Sequence, residues 1–311
     1  MRAVLIGNYG VGNLGDEALK EYFLKRFPDV KWSVLSANPQ EGEFHRLPAG
    51  LRSLMRPWWR TLRVLRKSEG VVFGGGSLFT DTESVYACLL WWWHAFVARL
   101  FGKQLHLAFQ GIGPFRTRLG EACARWVVKR AASISVRDTH SFNRIAGWEK
   151  NTKVVQTGDP VIVLIQAENT GGSSKNVLII IPRHNSNERF IKRAQDLSQE
   201  YQWDEIHTLS LQPEDSGEQN VCQRMSEVCS GEGQVRCVYT LEGLSREVME
   251  GSFILTQRYH GALAAIVLGK EYEVLEQKEG DKLSSLRGSR REILVQLVQE
   301  GEKSLRGAIL E

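Results

Sequence analysis

Cysteine is scarce and unpatterned. The five residues (Cys88, Cys123, Cys222, Cys229, Cys237) include no CxxC pair. An odd count without framework spacing argues against a disulfide-stapled secreted domain and for free thiols in a reducing compartment. The histidines do not cluster with the cysteines, so no zinc pattern emerges and no metal or cofactor is called for. Long apolar runs are lacking as well. The most apolar stretch, CLLWWWHAFVARLF, is interrupted by His94 and Arg99 and is too short to cross a bilayer. MRAVLIGN enters a strand at once, with no signal or transit pattern, and the expectation is a cytoplasmic protein. A large charge of either sign is also missing. Forty Lys and Arg stand against 36 Asp and Glu, a net +4, which gives no reason to expect nucleic-acid binding. That balance fits the handling of anionic substrates or proximity to an anionic membrane.

What is present is a two-part α/β pattern. The 311 residues suffice for two domains of ordinary size. AVLIGN reads as a buried parallel strand, followed by a helix over 15–27 with Ala18, Leu19, Tyr22 and Phe23 at helical spacing, then a strand over 31–36. A strand followed by a glycine-rich turn is expected over 70–81, a strand ending in another glycine turn over 104–114, and further strands at 133–138 and 154–160. Helices are expected at 51–67, with a break at Pro57, and at 84–102 and 118–131. AENTGGSSKN reads as a linker. A second βα alternation follows it and closes on an amphipathic helix beginning SRREIL. The fold class is α/β, two Rossmann-like doubly wound domains, 1–170 and 171–311, facing a cleft. In such sheets ligands sit beyond the carboxyl ends of the strands, near the point where strand order reverses.

The chemistry-bearing residues fall at those strand ends. GNYGVGNLGDE, with Gly10, Gly12, Asn13 and Asp16, follows a strand and opens a helix, as a phosphate-approaching turn does; a tight turn capped near Asp16 is the structural alternative. FGGGSLFTD, with Gly74, Gly75, Gly76 and Asp81, is a second glycine-rich turn. FQGIGP is a third, with Gln110 placed to meet a sugar hydroxyl. SVRD sets Arg137 at a strand end, either to hold a carboxylate or phosphate or to pair with Asp138. IPRH pairs Arg183 with His184 in the same kind of position. In LTQRYHGALAAIVLG, Arg258 and His260 stand between a strand and an apolar helix of small residues, an anion holder beside a group that exchanges protons near neutrality. RPWWRTLRVLRK is basic and carries Trp58 and Trp59, suiting either a core-anchored helix or an anionic membrane surface.

Taken in order, GxGNLGDEA, GGGSLFTD, QGIGP, SVRDxxS, TGDP and RYHGALAA resemble the polysaccharide pyruvyl transferase family over 1–268. The resemblance implies the architecture of two-domain GT-B glycosyltransferases, with the acceptor on the first domain and the donor on the second. The implied donor is phosphoenolpyruvate. The implied product is a cyclic pyruvate ketal on a sugar, often N-acetylmannosamine on a lipid-linked precursor, made at the inner face of the cell membrane. It implies that Arg137, Arg258 and His260 hold the donor. The chemistry of ketal formation then makes His260 the candidate acid and Asp16 or Asp81 a candidate base for the acceptor hydroxyl. This chain has Arg-Tyr-His where the family often has Arg-Leu-His. GDKLSSL lacks the proline of the family's Asp-Pro-Lys segment, which leaves Lys282 as a candidate third cation. Two other readings compete: a nucleotide-sugar glycosyltransferase on a similar scaffold, and a glycan-binding protein of envelope assembly.

Overall fold

The computed structural model describes residues 1–82, 84–148, 153–166, 175–229, 235–277, 282–286 and 288–310. The chain folds as two compact units. The first comprises Met1–Val11, Leu19–Pro160 and Leu294–Glu311, and the second Gly12–Ala18 and Val161–Ile293. In chain order the elements preceding the second sheet are β1 (Arg2–Ile6), α1 (Leu14–Arg26), β2 (Lys31–Ser36), β3 (Phe44–His45), α2 (Leu51–Leu54), α3 (Trp59–Lys67), β4 (Gly70–Phe79), α4 (Val85–Leu100), β5 (Gln104–Ile112), α5 (Arg118–Val128), β6 (Ala131–Val136), α6 (Thr139–Trp148) and β7 (Val154–Gln156). Then come β8 (Val177–Ile181), α7 (Glu188–Glu200), β9 (Glu205–Ser210), α8 (Ser216–Cys229), β10 (Val235–Cys237), α9 (Leu241–Glu250), β11 (Phe253–Thr256), α10 (Tyr259–Val267), β12 (Glu271–Val274) and α11 (Arg291–Leu310).

Both sheets are parallel throughout and doubly wound. The first has the order β3-β2-β1-β4-β5-β6-β7 and the second β10-β9-β8-β11-β12. Strand order reverses between β1 and β4 in one and between β8 and β11 in the other. The sequence forces this arrangement: β8 is VLIII, buried at every position, and only a strand covered on both faces can be apolar throughout. One face of the first sheet packs Val4, Ile6, Val71, Phe73, Leu105 and Leu107 against Val127, Trp91 and Ala95. In the second unit Leu178, Ile180 and Leu255 meet Phe190, Ala194, Leu197 and Met225. All five cysteines are free.

Three expectations change. The triple glycine is no turn: β4 runs through it, with Gly75 and Gly76 at φ of 79° and 77° and a register shift between Gly76 and Phe79. Likewise β5 continues through Gln110 to Ile112. Third, the final amphipathic helix belongs from Leu294 onward to the first unit, because α11 finds its partners there. Glu302 accepts hydrogen bonds from the Tyr22 hydroxyl at 2.8 Å and from Arg26 Nε and Nη2 at 2.9 Å. Burial and the Glu302 carboxylate together hold the Tyr22 phenol far above its ordinary pKa. A methyl group at Gly301 would lie 2.5 Å from the Phe109 ring, so only glycine lets α11 approach this closely. Residues 167–174 of the expected linker lie outside the described residues.

Two buried histidines set an acid limit on the first unit. His94 Nε2 accepts from the Leu47 amide at 2.9 Å while Nδ1 donates to the Leu90 carbonyl at 2.7 Å, a pattern that fits only the neutral ring. Burial pushes the pKa of His94, and equally of His106, down to about 4. The unfolded chain takes up protons near ~6.5, so between these values it binds more protons than the folded chain. Stability therefore falls as pH drops from about 6.5 to about 4, by on the order of 3 kcal/mol for each ring. Urea unfolding followed from neutral pH to pH ~4 should show this loss, and His106→Leu should reduce its slope. An unchanged slope in that variant would contradict the assignment.

Candidate functional site

The second unit carries a dense polar construction at its strand ends. β11 ends at Thr256, and Arg258 occupies the cap position of α10 in extended conformation, its amide donating to Thr256 Oγ1 at 2.9 Å. The small residues that follow let α10 lie close on the sheet. A methyl at Gly261 would come within 2.7 Å of Thr256 Oγ1 and 2.9 Å of Ile181 Cδ1. His260, in the first turn of α10, is half-buried, whereas Gly261, Ala262, Leu263, Ala264 and Ala265 are buried. The helix start thus presents a guanidinium and an imidazole while its apolar body is held down.

Arg258 is itself held. Its Nη2 forms an ion pair with Glu218 Oε2 and lies 3.4 Å from Gln212 Oε1. The Glu218 side chain is fully buried, and its Oε1 accepts from the amides of Leu211 and Gln212 at 2.9 and 2.8 Å and from Ser210 Oγ at 3.1 Å. These hydrogen bonds anchor the carboxylate, which in turn fixes the guanidinium facing it. Across the reversal point, the turn after β8 is tied to β11: the Arg183 amide donates to Ser186 Oγ at 2.9 Å, which donates to Gln257 Oε1 at 2.6 Å. His184, beside Arg183, is exposed.

The opening glycine-rich turn meets this construction through Gly12–Ala18, which belong to the same unit. Asn13 is the cap of α1, its Oδ1 accepting from the Gly15 amide at 3.0 Å and its carbonyl from the amides of Asp16 and Glu17 at 3.1 Å. A methyl at Gly15 would overlap the His260 ring, and one at Gly12, where φ is 70°, would lie 2.7 Å from a Glu214 carboxylate oxygen. These glycines therefore make room for side chains of the second unit. Asp16 is half-buried in the first turn of α1.

In the first unit three motifs converge on Arg137. Its guanidinium is buried, with Nη1 on Asp159 Oδ2 of TGDP at 2.5 Å and Nη2 donating to Ser77 Oγ of GGGS at 2.9 Å. The local partner expected from sequence, Asp138, instead caps α6 through the Ser141 amide at 2.7 Å.

The loop assignments in this unit need correction. Asp81 is buried and accepts from the Arg116 amide at 2.5 Å and from the Thr117 amide and hydroxyl at 2.8 and 2.5 Å, bracing the start of α5. Burial alone would raise its pKa, but those hydrogen bonds prevail and hold it below the usual carboxylate range. Such a group is a poor base. Gln110 is fully buried rather than presented at a strand end, and its amide nitrogen donates to the carbonyls of Phe73 and Gly75 at 3.0 and 2.9 Å, stitching β4 to β5. Gly74 and Gly75 are packing glycines, crowded by Tyr9 and Leu19, and Gly10 lies against Ser36. Lys282 opens a short 3-10 segment, Lys282–Leu286, and its side chain is outside the described residues.

Glu218, Asp159 and Ser77 do not stand out in the sequence, yet each fixes one of the arginines. The last two lie inside motifs; Glu218 has no such signal. A separate network, also unforeseen, gathers His207, Glu247 and Glu250 within 4.8 Å, with Arg236 Nη1 bridging the two carboxylates at 2.9 and 3.1 Å.

The fold defines a two-domain, doubly wound α/β protein. HepE of Anabaena, solved with UDP and glucose, superposes with a TM-score of 0.62 at 10% identity, covering 100% of this chain and 99% of its own. MnaA of S. aureus, solved with UDP, gives 0.57 at 12% identity, covering 96% and 87%. UDP-N-acetylglucosamine 2-epimerase of Rickettsia bellii gives 0.56 at 11%, covering 100% and 96%. At such identities the likeness is one of fold. No curated protein matches the chain in sequence. The polysaccharide pyruvyl transferase family model matches residues 13–271, most of the chain, and the protein belongs to that family.

Proposed function

We propose that the protein transfers a pyruvyl group from phosphoenolpyruvate to two hydroxyls of one sugar in a polysaccharide precursor, forming a cyclic ketal and releasing phosphate. The observation that carries this reading is the pairing of Arg258 and His260 at the end of β11, beside the strand-order reversal, with the guanidinium fixed by buried Glu218. Family membership supports it.

The donor bears a carboxylate and a phosphate. A guanidinium fork suits either group, and a fixed one loses little freedom on binding. In the reaction one sugar hydroxyl forms a bond to C2 of the donor as the methylene carbon takes a proton, for which His260 is the acid. The C2–O bond to phosphate then breaks, and a second hydroxyl of the same sugar closes the ring. The two hydroxyl protons leave through bases, and one proton equivalent ends in the methyl group. Asp16, half-buried beside Gly15, is the candidate base for the acceptor, since Asp81 is committed to α5. Arg137 and Lys282 are candidate further cations for the donor. In this reading Arg137 would release part of its hold on Asp159, and the acceptor is carried on a lipid at the cytoplasmic membrane face.

The test is incubation with phosphoenolpyruvate and a panel of nitrophenyl and lipid-linked sugars, following inorganic phosphate. The expected result is phosphate release only when donor and a competent acceptor are both present. Release of UDP from a UDP-sugar, with phosphoenolpyruvate inert, would overturn the proposal in favour of a glycosyltransferase.

A further inference from the structure

The connection from β3 to β4 is the most one-sided stretch of the chain. Between Glu43 and Glu69 it carries Arg46, Arg52, Arg56, Arg60, Arg63, Arg66 and Lys67 and no acidic residue. Its fold separates two faces. Thr61 and Leu65 of α3 are buried, with Leu62 and Val64 half-buried against the first-unit core, and Thr61 Oγ1 donates to the His45 carbonyl at 2.5 Å. The opposite face holds exposed Arg60, Arg63, Arg66 and Lys67. At the junction of α2 and α3 stand three large apolar side chains that the core does not use: Met55 is 91% exposed, Leu54 53% and Trp59 49%. Trp59 is flanked by the guanidinium carbons of Arg60 and Arg63, 5.5 and 5.2 Å from its ring centre. None of Arg56, Arg60, Arg63 and Arg66 has a carboxylate partner among the described residues.

We propose that this face docks on an anionic phospholipid bilayer, Leu54, Met55 and Trp59 entering the headgroup boundary and the arginines meeting lipid phosphates. Charge complementarity selects an anionic partner. The apolar tip selects lipid over nucleic acid, because methionine and leucine gain by leaving water for the acyl boundary and gain nothing against a phosphate backbone. A tryptophan beside cations is the side chain that rests at such a boundary. Among the described residues no helix is long and apolar enough to cross a membrane, so attachment through this face would be peripheral and reversible. Binding to vesicles requires neither donor nor acceptor, so this proposal and the proposed reaction can fail separately.

The experiment is co-sedimentation of the full chain with vesicles of phosphatidylcholine alone or mixed with phosphatidylglycerol, at low salt and at about 0.5 M NaCl. The wild type should bind only the anionic vesicles. Salt, or Arg60→Glu with Arg63→Glu, should weaken binding roughly tenfold or more. Met55→Ser with Trp59→Ser should weaken it several-fold at low salt, with melting temperature preserved in all variants because these side chains are exposed. No binding of the wild type to anionic vesicles would overturn the proposal. So would wild-type binding by the Met55/Trp59 variant, or displacement from vesicles by single-stranded RNA, which would mark the face as a general polyanion site.

Discussion

Replacing His260 with alanine is expected to lower acceptor-dependent phosphate release by about a hundred- to ten-thousand-fold, the range for losing a general acid. The fold should survive, since the half-buried ring lies at a helix start and not in either core. Phosphoenolpyruvate should still bind, so the loss should fall on kcat more than on KM. Gly15→Val makes the same point without touching the histidine, because even a methyl at that position overlaps the ring. The rate should fall there too, while the helix start remains intact. Wild-type turnover by His260→Ala would remove the imidazole from the mechanism.

Arg258→Ala should have two separable consequences. It strands the buried Glu218 carboxylate, whose Oε2 has Arg258 as its ion-pair partner. Removing one member of a buried pair costs about 3–5 kcal/mol, reduced to the extent that Glu218 takes up a proton instead. It also removes the proposed anion holder, which should raise the KM for phosphoenolpyruvate or abolish turnover. Arg258→Met combined with Glu218→Gln separates the two. Without a buried charge the double variant should regain most of the lost stability, yet remain inactive. Thermal unfolding and phosphate release on the same samples decide the matter. Recovery of activity along with stability would mean that Arg258 serves only to neutralise Glu218. A single variant as stable as wild type would mean that the pair is not buried as described.

The parts of the fold legible in sequence were those written as hydrophobic period. Continuous apolar strands such as VLIII, alternating with helical spacing, announce parallel sheets covered on both faces. Arg258 and His260 stood out because two polar groups between such a strand and an apolar helix have few places to go but a strand end. Long-range partners were not legible. α11 declares an apolar face but not what covers it, and Gly301 and Glu302 acquire meaning only against Phe109, Tyr22 and Arg26. The glycine triplet looked like a turn because its actual cause, the crowding of Gly74 by Tyr9 and of Gly75 by Leu19, lies far off in the chain. Asp81 and Gln110 read as acceptor-side residues, although each is interior, Asp81 bracing the start of α5 and the Gln110 amide nitrogen joining β4 to β5. Glu218 was invisible: in SGEQNV it resembles any solvated helix-start acid, and only the folded turn 210–212 encloses it.

The central claim concerns the origin of the transferred carbon unit and the proton it gains. Turnover of phosphoenolpyruvate with a competent sugar in deuterium oxide, with the product read by mass spectrometry and proton NMR, tests it most directly. The expected product is a ketal whose methyl group carries one deuterium, formed together with inorganic phosphate. A sugar product lacking that methyl group, or one bearing it without deuterium, would rule out pyruvyl transfer with protonation at the methylene carbon.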